Sequence, residues 1–247
     1  MHPYHNRVRI IGIDCATDDA KVGVAWATAS PMGVRVMDAS VCSRAESVLD
    51  RVVRCAGEAE EPLLIAIDAP LGWPRPMGEA LAGHRAGAEL PVSPNDLFRR
   101  ATDRHIQRRL GKTPLDVGAD RIARTAHAAL RLLGGLRIRL AHEIPLAWCS
   151  SLTEAVSAIE VYPAATLTCL GLRARGYKKQ DQVAERREIV SAVSREIALE
   201  LDTGVLEANA DALDAVVCVL AATRFLDGTA FPPEDREVAE IEGWIWA

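Results

Sequence analysis

The stretch ANADALDAVVCVLAATRFL (208–226) reads as a long apolar helix that carries two acids, Asp211 and Asp214, three residues apart. On a helix such a pair stands about 5–6 Å apart at Cβ, so the carboxylates repel unless a cation lies between them. Capping explains one of them: with Asn209 as N-cap, Asp211 falls in the first turn, where the helix dipole favours negative charge. Asp214, a turn further in, lies beyond the best of that effect. Three other acids end apolar runs: Asp14 in VRIIGIDCA (8–16), Asp68 in EPLLIAIDAPLGWP (61–74) and Glu160 in SAIEVYPAATL (157–167). Carboxylates at strand ends face the crevice where open α/β sheets bind ligands. Each alone is also what starts a turn. Five acids from separate segments converge only if hard divalent cations offset their repulsion. Two such ions about 4 Å apart are the usual device for in-line displacement at phosphorus.

The elements that must position these acids follow from patterning. Strands are expected at 8–14, 22–29, 34–41, 62–68 and 157–161, with the first three forming an antiparallel meander. Ser43 with Glu46 forms a capping-box signature, so a helix is expected over 43–60. The order is β-β-β-α-β, and the unbroken apolar run before Asp68 suits a parallel strand covered on both faces. Pro- and Gly-rich sequence from 70 to 94 opens a helical insertion at about 70–150, with helices at 93–111 and 118–136. A charged amphipathic helix is expected from Lys178 to Leu201, and EIEGWIWA is a short C-terminal segment. The expectation is a single domain over 1–247.

The insertion is dense in base. Arg99, Arg100, Arg104, Arg108 and Arg109 crowd one segment, and Arg121, Lys178 and Lys179 follow. On a helix 100, 104 and 108 form one row that could face a phosphate chain; the other reading is a solvated, salt-bridged surface. His84, His105 and His127 stand alone and read as surface or internally satisfied residues.

Composition bounds the classes. At 247 residues with 49% apolar and 26% charged residues, the chain is an ordinary globular protein. It has no apolar run of the roughly 20 residues that a membrane span needs and no signal-peptide core, so the expected location is cytoplasmic. Six scattered cysteines, without a C-x-x-C pair, suit reduced thiols. The net charge of −5 provides no global attraction for nucleic acid, so a polyanion would need a local basic patch or metal ions.

An acid on the first strand, another on the fourth and a D-x-x-D on a late helix resemble the ribonuclease H-like fold, and the late pair looks most like its RuvC-type resolvase branch. More closely, GID (12–14), AIDAPLGWP (66–74), FRRATDRHIQRRLGKTPLDVGADRI (98–122), IEVYPAATL (159–167), GYKK (176–179) and DALDAVVCVLAA (211–222) resemble, in order, the family called domain of unknown function 429, DUF429, described as predicted nucleases of ribonuclease H fold. The resemblance implies an α/β mixed sheet with helices on both faces. It implies Asp14 as central metal-bridging acid, Asp68 as second ligand, Asp211 and Asp214 as helix ligands, and Glu160 as a further ligand outside the simplest four-acid pattern. The implied cofactor is Mg2+ or Mn2+ and the implied substrate a nucleic acid or nucleotide, gripped by Arg99, Arg100, Arg104, Arg121, Lys178 and Lys179. Two other classes share such a core: actin- and sugar-kinase-like phosphotransferases, whose D-x-G-[ST] turn is missing from DCATDDAKVG, and a non-catalytic metal-binding module.

Overall fold

The computed structural model describes residues 7–43, 45–57, 61–118, 120–172 and 174–247. Strand β1 (Val8–Asp14) is buried along its whole length and pairs antiparallel with β2 (Gly23–Ser30), which pairs antiparallel with β3 (Gly33–Val41). Short links allow only antiparallel pairing. Helix α1 (Val48–Ala56) then carries the chain across, so β4 (Leu63–Asp68) returns parallel to β1. The insertion follows as α2 (Arg75–Leu81), α3 (Pro94–Phe98), α4 (Ala101–Leu110) and α5 (Asp120–Leu140). Beyond it come β5 (Val156–Val161), α6 (Pro163–Cys169), α7 (Val183–Glu196), β6 (Ala198–Leu199), α8 (Gly204–Ala208), α9 (Ala210–Leu226), α10 (Arg236–Glu242) and β7 (Ile245–Trp246).

Among the described residues, seven strands form one mixed sheet in the order β6-β3-β2-β1-β4-β5-β7. β1, β4, β5 and β7 run parallel. This mixed α/β architecture is consistent with the ribonuclease H-like fold implied by the resemblance. On one face lies α9, buried almost all round, which is why its sequence lacks an amphipathic stripe. On the other, Val48 and Val52 of α1 and Ala129, Leu133 and Leu136 of α5 pack on Ile11, Ile13, Ile65 and Ile67. Each face buries its own apolar cluster, so the central strands are apolar on both sides.

The departures from expectation have local causes. Helix α1 starts at Val48 because Ser47 caps it, its side chain accepting from the Asp50 N–H, while Ser43 and Glu46 form an isolated bridge. Residues 58–60 of that expected helix lie outside the described residues. The helix expected over 93–111 is broken at Arg99 and Arg100, both extended, where Arg100 turns inward. The helix expected from Lys178 starts only at Val183, which leaves Lys178 on a loop, and its end becomes β6 at the edge of β3. The segment after β5 forms helix α6, and the C-terminal segment supplies β7.

Candidate metal centre

Alternation along the strands decides which acids can meet. In β1 Ile11 and Ile13 face α1 and α5, so Gly12 and Asp14 face α9. In β4 Ile65 and Ile67 face the same way as Ile11 and Ile13, so Asp68 shares the side of Asp14, and the two are directly paired in the parallel register. Gly12 and Gly23 let α9 come down onto this end of the sheet: a Cβ at Gly12 would collide with the Ala215 carbonyl, and one at Gly23 with that of Asp211. Asp214 is thereby brought to the two strand ends. Carboxylate oxygens of Asp14, Asp68 and Asp214 all lie within 4.8 Å of one another, a set that can hold a metal ion.

Burial and mutual repulsion make these carboxylates hard to ionise. Burial, then the charge of Asp214, holds Asp14 well above the usual carboxylate range. Asp68 is pushed up to about 7 by burial against the pull of Lys178, with Asp214 and Glu160 adding to the rise. Asp214 is raised by burial against the opposing Lys178 and Tyr177. The Tyr177 hydroxyl donates to Asp214 Oδ1 at 2.7 Å. Lys178 Nζ is ion-paired with Asp214 Oδ2 and lies 3.9 Å from Asp14 Oδ1. Burial works against the ammonium, but the pull of Asp214, Asp14 and Asp68 outweighs it and raises Lys178 above its ordinary value. A cation already sits where three carboxylates converge. The donor set is all oxygen, as hard divalent cations prefer.

The cluster forms the floor of a cleft of about 480 Å³, whose walls include Pro114, Leu115, Ile122, Tyr162 and Pro163 and whose cationic lining residues are Arg100, Lys112 and Lys178. Residues 12–238 match the family model described as "Protein of unknown function (DUF429)". The chain belongs to the DUF429 family. The matched span includes all three clustered acids together with Lys178. No curated protein and no solved structure matches the chain.

In this DUF429 chain the remaining expected site residues go elsewhere. Glu160 pairs with Ile67 rather than with Asp68, so it points to the opposite side of the sheet from the three acids. There it receives Arg100 Nη1 at 2.8 Å, Arg100 Nη2 at 2.7 Å and the Leu71 N–H at 2.9 Å, which removes it from the ligand set. Arg100 is 1% exposed and also donates to Asp103. It is a buried tie between the insertion and β5, and where it lines the cleft its guanidinium is taken up by Glu160 and Asp103. Asp211 accompanies Asp214 on α9 but is not one of the clustered acids; its N–H is capped by Asn209 Oδ1 at 2.8 Å, the capping role expected for the first turn.

Four further arginines of the insertion are engaged. Arg99 pairs with Asp116 at 3.1 Å, Arg104 donates to the Arg99 carbonyl at 2.8 Å and lies 3.6 Å from Asp96, and Arg108 pairs with Glu234 at 2.9 Å. Arg109 stacks over Phe231. Arg121 and Lys179 are exposed and do not line the cleft. His105 is buried with Nδ1 3.0 Å from Glu234, while His84 and His127 are exposed. All six cysteines are free thiols.

Two residues that carry the site were not singled out from sequence: Tyr177 and Arg186. The buried Arg186 guanidinium donates to the carbonyls of Tyr177 at 2.6 Å, Lys179 at 2.7 Å, Gln180 at 3.3 Å and Glu207 at 2.6 Å. Its signal was available: Arg186 shares a helix face with Ile189, Val190 and Val193, and an arginine on an apolar stripe needs internal acceptors.

Proposed function

We propose that the protein is a metal-dependent nuclease that hydrolyses phosphodiester bonds of nucleic acid, with Mg2+ or Mn2+ held by Asp14, Asp68 and Asp214. The observation that supports this reading is the meeting of these three acids at the carboxyl ends of two adjacent parallel strands, on the floor of a cleft. When bound, a divalent ion supplies Lewis-acid stabilisation of the charge that builds on a phosphoryl group. The chain's own part is positioning. Asp14 and Asp68 project from rigid strand ends, and Tyr177 occupies one oxygen of Asp214 so that the other faces the cluster. With Arg99, Arg100, Arg104 and Arg108 each paired to an acid, the cleft offers Lys112 and Lys178 to a phosphate. That supply suits one unpaired strand or a nucleotide better than the long basic track a duplex requires.

The test is hydrolysis of short single-stranded DNA and RNA with and without Mn2+, by the native protein and by Asp214→Asn. The expected result is metal-dependent cleavage that falls by at least about hundredfold in the variant, the scale of losing an electrostatic stabiliser of the transition state. Equal rates in both proteins would contradict the reading. Ion binding without turnover would leave a binding module, and ATP turnover in its place would favour phosphoryl transfer.

A further inference from the structure

We propose that Lys178 is an exchangeable internal counter-ion: its ammonium holds the three carboxylates together without metal, withdraws when a divalent ion is bound, and then contacts the phosphate of the substrate. This rests on the metal-binding reading of the cluster. Three carboxyl groups face one ammonium, and a doubly charged ion balances the three in their ionised form better than that single charge does. Nζ and a divalent ion cannot both sit against Asp214, because like charges a few ångströms apart in a partly desolvated site repel strongly. One of them must leave.

The structure shows which part can move. Arg186 ties down the carbonyls of Tyr177, Lys179 and Gln180, so the backbone on either side of Lys178 is fixed. The Lys178 side chain, by contrast, is 52% exposed and crosses to the acids on a flexible four-carbon stem. Withdrawal therefore needs only rotamer changes, with the loop and Tyr177 staying in place. Lys178 lines the same cleft as Lys112, so the freed ammonium has the cleft itself to turn into. There it is a compact charge of the kind that binds phosphate.

The experiment is calorimetric titration of Mn2+ into the native protein, Lys178→Gln and Lys178→Arg, with melting temperatures recorded without metal. The Gln variant is expected to melt lower than the native protein when metal-free, yet to bind Mn2+ at least tenfold more tightly. Once loaded with Mn2+, it is expected to bind inorganic phosphate several-fold more weakly. The Arg variant keeps the competing charge and is expected to show no such gain for Mn2+. Equal or weaker Mn2+ binding by Lys178→Gln overturns the exchange, and unchanged phosphate binding overturns the second role. Failure of all three proteins to bind Mn2+ at millimolar concentration overturns the metal-site reading itself, a result distinct from equal affinities.

Discussion

Asp68 shows what the cluster does to a single side chain. A carboxyl pushed from 3.8 to about 7 is ionised later in the folded protein than in the unfolded one. Between those values the unfolded chain binds fewer protons, so stability falls as pH rises through that window and then levels off. Asp14 and Asp214, also raised, act in the same direction. The melting temperature of metal-free protein is therefore expected to fall between about pH 4 and pH 7, with a shallower fall in Asp68→Asn. A bound divalent ion requires the ionised form, so the Mn2+-induced rise in melting temperature should grow from pH 6 to pH 8. A metal response that does not vary with pH would separate Asp68 from the ligands. Asp14 and Asp68 were legible because each closes an apolar run. Glu160 misled because its run continues through Val161; one residue of offset turns the side chain to the opposite face, where Arg100 meets it.

Helix α9 and the strands beneath it set the distance between the acids. Gly12 on β1 lies directly under α9, against the Ala215 carbonyl, one residue after Asp214. Gly12→Ala is expected to cost about 1–3 kcal/mol in denaturant unfolding, as overpacking does, and to weaken Mn2+ binding by lifting Asp214 away from the strand ends. A variant as stable as the native protein and equal in Mn2+ affinity would show that this approach does not position the site. The bounds of α9 could be read from its cap at Asn209 and its apolar length, both local signals. The break between α3 and α4 could not. Arg100 leaves the helix to reach Glu160, sixty residues away in the chain, and periodicity carries no trace of such a partner. The same limit hid β6 and β7, two-residue strands that exist only because a sheet edge is there to receive them.

Taken as a whole, the molecule concentrates its chemistry at one end of the sheet and neutralises charge elsewhere. The net charge of −5 and the pairing of Arg99, Arg100 and Arg108 with acids leave the carboxylate cluster with its lysine as the polar feature of the cleft floor. Among the described residues no helix is long and apolar enough to cross a membrane. The alternation of acids with apolar runs made this layout legible in outline, whereas the pairing of the basic insertion with acids elsewhere in the chain depended on tertiary contacts such as Arg108 with Glu234. The most direct test is the anomalous difference density of crystals grown with Mn2+ near pH 8. It should show a peak among the carboxylates of Asp14, Asp68 and Asp214, with the Lys178 ammonium withdrawn from Asp214 and Glu160 still on Arg100. Density that leaves Lys178 seated on Asp214, with manganese bound elsewhere or nowhere, would contradict the metal centre.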